Sequence, residues 1–403
     1  MNKRILFVDD EPMVLTGIQR SLRTMRKEWE MAFATSGPEA LEMLARAPFD
    51  VVVSDMRMPG MDGAELLEQV KTRFPQTVRF VLSGQSEREA ILRSVGPTHQ
   101  YLSKPCDGEE LKQKIIHAFA LRELLDNPQL KEIVSRLQTV PSLPQLYVAV
   151  TDALRLPDVS VAKIADLVAQ DMGMTSKVLQ LVNSAFFGLP CRVSNPQQAV
   201  SLLGIDNVKA LVLSVHVFSE LEGQSTQEMS FLWSHSMHTA ALAKAITHSQ
   251  HCKQTIEDEA FAAGLLHDVG RLVLASVCGN QYQSVFRIAA EEPASISEIE
   301  QGVFGCSHAE VGAYLLGLWG LPDPIVEAVA WHHSPSRAGL SAFSPVIAVH
   351  VADYLDQQRH EYLARSETPT LDEDLLARLG FKEQMKVWST MCQESAPGVK
   401  GND

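Results

Sequence analysis

Short apolar runs that end in a polar residue recur through the first 122 positions. One closes at Val8 ahead of Asp9-Asp10-Glu11. A second is Asp50-Val51-Val52-Val53-Ser54-Asp55, a third is Val81-Leu82-Ser83-Gly84, and a fourth is Tyr101-Leu102-Ser103, with Lys104-Pro105 behind it. Unbroken apolar runs of this length suit strands buried on both faces, and their alternation with longer stretches predicts βα units. In an open parallel sheet, ligands bind at the carboxyl ends of the strands. Three carboxylates, a hydroxyl and an ammonium are therefore expected to meet at one place.

Residues 107–125 read as the last helix of this region. Asp126-Asn127-Pro128 breaks it and restarts a second helix, with Pro128 at a first helical position behind an Asn cap. That helix runs to about Leu137, and Pro141-Ser142-Leu143-Pro144 ends it. From Leu143 to about Asp356 the period changes. Apolar residues recur at three- and four-residue spacing, as in Ile164, Leu167, Val168 and in Val178, Leu179, Leu181, Val182, which predicts helices. No strand alternation and no repeat of fixed period shows there. One more amphipathic stretch covers Leu371–Leu379, and Gln393–Asp403 reads as a small, polar, frayed end. The expected division is 1–122 for the first domain, 123–140 for a helical connector, 141–356 for a helical domain, and 357–403 for a C-terminal helix and tail.

Composition narrows the function classes. The 403 residues suffice for two or three domains, and 45% hydrophobic content is that of a packed globular protein. No apolar run approaches a membrane span. Asp9 and Asp10 inside the first strand speak against a signal peptide. The six cysteines, Cys106, Cys191, Cys252, Cys278, Cys306 and Cys392, form no Cys-x-x-Cys pair, which fits free thiols in a reducing cytoplasm. The net charge of −14 argues against a DNA-binding output. The densest basic cluster, Arg20 to Lys27, reads as a solvated helix face.

The strand-end groups suit phosphoryl transfer to a carboxylate. A carboxylate can attack a phosphoryl group to give an aspartyl phosphate, and positioning with charge neutralisation does most of the catalysis. Magnesium takes one or two carboxylates, a role open to Asp9 and Asp10, with Asp55 sharing the metal and acting as nucleophile. Lys104 can neutralise one phosphoryl oxygen and Ser83 can donate to another. Together with the Asp55-Met56-Arg57-Met58-Pro59-Gly60-Met61-Asp62-Gly63 loop and Tyr101-Leu102-Ser103-Lys104-Pro105, these residues resemble the receiver domain of two-component response regulators. The resemblance implies a doubly wound, five-stranded parallel α/β sheet of the flavodoxin-like kind. It implies Asp55 as phospho-acceptor, Ser83 and Tyr101 as residues that reorient on phosphorylation, and the backbone of Arg57 as a further Mg2+ ligand.

A second resemblance covers about 130–355. Pro141-Ser142-Leu143-Pro144-Gln145-Leu146, Leu181-Val182-Asn183-Ser184-Ala185, Ala199-Val200-Ser201-Leu202-Leu203-Gly204, Ser307-His308-Ala309-Glu310-Val311-Gly312, Trp319-Gly320-Leu321-Pro322 and Trp331-His332-His333 resemble the HDOD domain. This is an all-helical relative of the HD phosphohydrolases that serves as an output module. His235, His267-Asp268 and Asp353 match the HD metal-ligand pattern. His308, His332 and His333 resemble the additional ligands of binuclear HD-GYP phosphodiesterases. Imidazole with carboxylate suits iron, manganese or zinc. Plainer roles stand beside each: the stretch Phe261–Leu274 is apolar on nearly every face and reads as a buried helix, in which Arg271 could neutralise Asp268, and histidines near a helix C-terminus are favoured by the dipole alone. Two departures count against cyclic-dinucleotide hydrolysis: Arg271 replaces the expected Lys, and Ser334-Pro335-Ser336-Arg337 stands where Gly-Tyr-Pro would follow the double histidine. Asn183-Ser184-Ala185-Phe186-Phe187-Gly188 reads as a helix ending with Gly188 as cap rather than as a partner contact.

The leading expectation is a cytoplasmic response regulator that a sensor histidine kinase or phosphotransfer protein phosphorylates at Asp55. It switches a helical output that binds a downstream protein rather than catalysing a reaction. The alternative is phosphorylation control of a metal-dependent phosphohydrolase acting on a nucleotide or cyclic dinucleotide. A homodimer is open, since no heptad requires one.

Overall fold

The computed structural model describes residues 3–83, 97–104, 108–124, 127–137, 140–141, 144–156, 159–183, 192–205, 207–208, 212, 218–219, 226–291, 294–359 and 370–394. In the first domain β1 (Lys3–Val8), α1 (Pro12–Ser21), β2 (Trp29–Ala34), α2 (Gly37–Arg46), β3 (Val51–Asp55), α3 (Gly63–Arg73), β4 (Val78–Ser83), β5 (Gln100–Ser103) and α4 (Gly108–Leu124) follow one another. The sheet is all parallel in the order β2-β1-β3-β4-β5. The middles of the central strands are mostly apolar because helices cover both faces: Ile5 to Phe7, Val51 to Val53, Phe80 and Val81 are all fully buried. The register sets Val8 beside Ser54 and Ser83 beside Ser103. Asp9, Asp55, Ser83 and Lys104 therefore leave the sheet at the same edge, at the point where the strand order reverses. Arg20, Arg23, Arg26 and Lys27 are exposed, as the reading of a solvated face expected.

The remaining elements are α5 (Pro128–Arg136), β6 (Val140–Pro141), α6 (Pro144–Arg155), α7 (Val161–Val168), α8 (Met172–Val182), α9 (Pro196–Leu203), β7 (Phe218–Ser219), α10 (Thr226–Ser249), α11 (Gln254–Leu266), α12 (Val269–Cys278), α13 (Asn280–Glu291), α14 (Ile296–Phe304), α15 (His308–Leu318), α16 (Asp323–Trp331), α17 (Pro345–Arg359), α18 (Glu373–Arg378) and α19 (Gln384–Glu394). The helical expectation holds with one addition, a two-residue parallel pairing of β6 with β7. Asn127 caps α5 as its spacing predicts, with its side-chain oxygen accepting from Gln129 N and Leu130 N. Its amide donates to the carbonyl of Gly305. Leu130, Ile133 and Val134 are buried where α5 packs on α12 and α15, and α4 packs on α15 as well.

Two elements differ from the pattern. The apolar stretch around the His-Asp pair is two helices, because α11 ends at His267 and α12 begins after Asp268. The whole segment Gln254–Cys278 is the one helical stretch among the described residues long and apolar enough to cross a membrane, and 78% of its apolar window is buried inside the protein. Helix α8 carries Lys177 and Gln180, which would mark a solvent face, yet every residue of it is buried. The first domain covers that face: Gln180 Nε2 donates to Thr98 O (3.1 Å) and His99 O (3.2 Å). The Lys177 ammonium lies 3.9 Å from the Trp319 ring centroid and 2.9 Å from Gln180 Oε1.

Candidate functional sites

At the sheet edge, the Lys104 ammonium lies between two carboxylates, 2.9 Å from Asp9 Oδ2 and 2.8 Å from Asp55 Oδ1. Asp9 and Asp55 are buried and Asp10 is half-buried. Burial pushes the Asp55 carboxyl above its ordinary value, against the pull of Lys104. Burial also works against the charge on Lys104, but its bonds to Asp55 and Asp9 outweigh this and hold the ammonium above its usual range. The backbone N–H of Met56 donates to Asp55 Oδ1 at 2.7 Å. Gly63 opens α3 so close to the end of β3 that a Cβ there would sit 2.1 Å from Asp55 O. Ser83 Oγ is buried and has no hydrogen-bond partner among the described residues. Tyr101 is buried, and Arg57 is exposed on the loop after β3. Asp9, Asp10 and Asp55 each offer an oxygen within 4.8 Å of the others, a donor set that fits Mg2+.

The second constellation is assembled from helix ends. His235 comes from the middle of α10, His267 and Asp268 from the break between α11 and α12, His308 from the first position of α15, His332 and His333 from the end of α16, and Asp353 from α17. Local chemistry fixes each placement. A capping box between Ser307 and Glu310 starts α15 at His308. Gly270 lets α12 meet α15 backbone to backbone; a Cβ there would lie 1.9 Å from His308 O.

The cluster is buried apart from the partly exposed His333. His267 Nε2 is 3.2 Å from His235 Nε2, and His308 Nε2 is 2.9 Å from His333 Nε2. Asp268 faces both pairs: Oδ1 lies 3.2 Å from His308 Nε2, and Oδ2 lies 3.6 Å from His267 Nε2 and 3.0 Å from Arg271. Asp353 Oδ1 is 3.1 Å from His235 Nε2. The outer ring nitrogens are anchored: His235 Nδ1 to Asp356 Oδ2 (2.8 Å), His267 Nδ1 to Gly264 O (2.7 Å), His308 Nδ1 to Glu300 Oε2 (2.6 Å) and His332 Nδ1 to Val329 O (2.8 Å). All four therefore turn Nε2 inward. His332 Nε2 is buried without a hydrogen-bond partner among the described residues, a state that costs about 1–3 kcal/mol unless something else fills the role.

The protonation pattern divides the rings. Burial holds His332 well below its ordinary value and His333 at about 4, and it lowers His267. Burial also opposes charge on His235, but Asp353 and Asp356 raise it to about 10; against the same burial, Glu300 holds His308 above its ordinary value. Against the same burial cost, His267 and Arg271 keep Asp268 ionised. Inward-facing imidazoles beside two carboxylates, with His267, His332 and His333 favoured neutral by burial, form a donor set for a first-row divalent cation.

The family model of the response regulator receiver domain matches residues 5–116, and that of the HDOD domain matches residues 140–335. The chain joins a response-regulator receiver domain to an HDOD domain. An uncharacterized protein of Treponema pallidum (strain Nichols) is 28% identical over 216 residues, 54% of this chain and 42% of its own length. The hydrogenase transcriptional regulatory protein HoxA of Cupriavidus necator is 37% identical over 103 residues, 25% of this chain and 21% of its own. The chain thus spans less than half the length of these curated relatives. Among solved structures, the MmoQ response regulator from Methylococcus capsulatus str. Bath shares 24% identity at a TM-score of 0.47, covering 62% of this chain and 98% of that one. An HDOD domain protein of unknown function from Geobacter sulfurreducens shares 26% identity at a TM-score of 0.39, covering 66% of this chain and 93% of that one.

In the receiver domain the structure brings together Asp9, Asp10, Asp55 and Lys104, with Ser83 at the end of the neighbouring strand. In the HDOD domain it brings together His235, His267, Asp268, His308, His332, His333 and Asp353. The Asp268–Arg271 ion pair read from the sequence forms at 3.0 Å and coexists with the histidine contacts. Asp356 and Glu300 were missed. Asp356 stands three residues after Asp353 on the same helix face, which is a readable signal; Glu300, eight residues before His308 on another helix, carries none. His350, in the same motif as Asp353, is committed elsewhere: Nδ1 donates to His332 O and Nε2 accepts from Asp372 N. Gly84, Pro105, Ser142, Leu143, the segment Ser184–Gly188 and residues 395–403 of the expected tail lie outside the described residues.

Proposed function

We propose that this chain is a cytoplasmic response regulator whose Asp55 accepts a phosphoryl group from a sensor histidine kinase or phosphotransfer protein and thereby switches the HDOD domain toward a downstream protein partner. The observation that carries this is the Lys104 ammonium held between the Asp9 and Asp55 carboxylates beside a buried Ser83 hydroxyl that has no hydrogen-bond partner among the described residues. The Asp55 carboxylate oxygen forms the new bond to phosphorus as the donor's phosphorus–nitrogen bond breaks. Lys104 and Ser83 then have a phosphoryl oxygen each to engage, and Tyr101 responds at the adjoining strand. Asp9, Asp10, Asp55 and the backbone of Arg57 would hold Mg2+, which supplies charge neutralisation when bound. The packing of α4 and α5 on α12 and α15 supports transmission to the helices that begin beside Asp268 and at His308. Asp55→Asn is expected to abolish the phosphorylated band on a phosphate-affinity gel after acetyl phosphate and Mg2+ treatment. A persisting band sinks the assignment.

A second reading is favoured by the anchored, inward-facing histidines: the HDOD domain holds iron, manganese or zinc and acts as a phosphohydrolase on a nucleotide or cyclic dinucleotide. His235, His267, Asp268 and Asp353 would hold one ion and His308, His332 and His333 a second, with Asp268 facing both. A bound ion there supplies Lewis acidity for hydrolysis. Elemental analysis of the purified protein should find one or two equivalents in wild type and none in the His267→Ala, Asp268→Ala double variant. Metal-free wild type leaves the partner-binding reading.

A further inference from the structure

Two buried carboxylates stand directly behind the histidine cluster. Glu300, fully buried on α14, takes three donors. Its Oε2 accepts from His308 Nδ1 at 2.6 Å and from the His308 backbone N–H at 2.7 Å, and its Oε1 accepts from the Tyr282 hydroxyl at 2.8 Å. Burial and then Glu300 hold the Tyr282 phenol well above its ordinary range, so it remains a donor. Asp356, buried on α17, accepts from His235 Nδ1 at 2.8 Å and lies 3.6 Å from His238 Nδ1.

A buried ionised carboxylate accepts hydrogen bonds and cannot donate them. Each acid therefore requires the ring proton on Nδ1 and turns Nε2 toward the cluster. His267 and His332 are oriented only by neutral backbone carbonyls of Gly264 and Val329. Each of the two groups of rings thus contains one carboxylate-backed imidazole and one carbonyl-backed imidazole. Burying two further acids behind the cluster is costly unless they serve the rings in front of them.

We propose that Glu300 and Asp356 are positioning residues that hold His308 and His235 in the orientation that presents Nε2 to a divalent cation, and so set how tightly the HDOD cluster binds it. This rests on the metal-holding reading above. Outer partners of metal-bound histidines typically change affinity ten- to hundredfold.

The test uses full-length protein stripped of metal and titrated with Zn2+ against a competing chelator. Wild type, Glu300→Gln, Glu300→Ala, Asp356→Asn and Asp356→Ala are compared. Glu257→Gln serves as control, since Glu257 pairs with His248 at 2.8 Å by the same chemistry on the far part of α10 and α11. Glu300→Gln and Asp356→Asn should keep the wild-type stoichiometry and weaken Zn2+ about tenfold. The alanine variants should weaken it further. In Zn2+-loaded protein, nitrogen-15 correlation spectra should place the ring protons of His308 and His235 on Nδ1. The amide variants should keep those resonances and the alanine variants should lose them, a change that a merely structural role would not produce. If a Glu300 variant does not fold, Tyr282→Phe removes one bond from Glu300 and should weaken Zn2+ a few-fold. Wild type that takes up no Zn2+ overturns the metal reading itself. Wild type that binds while every variant binds equally overturns only the positioning role.

Discussion

The receiver and HDOD domains gather acids by opposite means. In the receiver, parallel strands deliver Asp9, Asp55 and Lys104 to one edge, and the single ammonium of Lys104, just after β5, answers two carboxylates at 2.8 and 2.9 Å. In the HDOD domain the acids lie inside a helical core, where Arg271 answers Asp268 and imidazoles surround the rest. The first arrangement leaves a partly exposed ammonium shared between two buried carboxylates. The second fixes ring orientations before any ligand arrives. Both rely on one device: a glycine at the start of a helix that presses on the backbone of a key residue, Gly63 on Asp55 and Gly270 on His308.

The largest expected effects split the two regions at those glycines. Gly270→Ala should cost about 3 kcal/mol or more, because its Cβ meets backbone that cannot move aside, and should remove bound metal while acetyl phosphate still labels Asp55. Gly63→Ala should do the reverse, losing labelling and keeping metal. Denaturant titration with both assays checks this, and equal loss of both functions from either variant would break the comparison. Next, Arg271→Leu should destabilise the metal-free protein by about 3 kcal/mol, since it strands a buried carboxylate. Added Zn2+ should restore much of that in a chelator-reversible melting shift. No restoration would mean that Arg271 alone accounts for Asp268.

How much of this was legible follows from where the groups sit. Asp9, Asp55 and Lys104 each abut an apolar strand, so short motifs disclosed the fold and the convergence of these groups at one edge. The residues of the HDOD cluster are spread from His235 to Asp353 and were readable only as an ordered set. The helix break at His267-Asp268 was hidden because both sides are equally apolar. The burial of α8 was hidden because its cover is the other domain.

That buried face supplies the next expectation. Burial, and then Lys71 and Arg79 across the seam, depress Lys177 well below 10.5. The folded state therefore resists the proton that the unfolded chain takes up. Stability is fully present above the ordinary lysine value and is lost as pH falls from there toward the folded value. Lys177→Met should abolish that slope and raise stability by about 1 kcal/mol near neutral pH, read as melting temperature against pH. An unchanged slope would remove Lys177 from the account. The smallest effect is expected for Asn127→Ala, about 1 kcal/mol for the lost cap, with the metal content unaltered.

The seating of α5 also governs how such chains can be cut and recombined. Leu130, Ile133 and Val134 are buried against α12 and α15, so a fragment beginning at Pro141 would open an apolar trench beside the histidines and invite aggregation. A graft that exchanges the receiver for another sensor module therefore needs its splice between residues 124 and 127, with Asn127 inherited by the recipient.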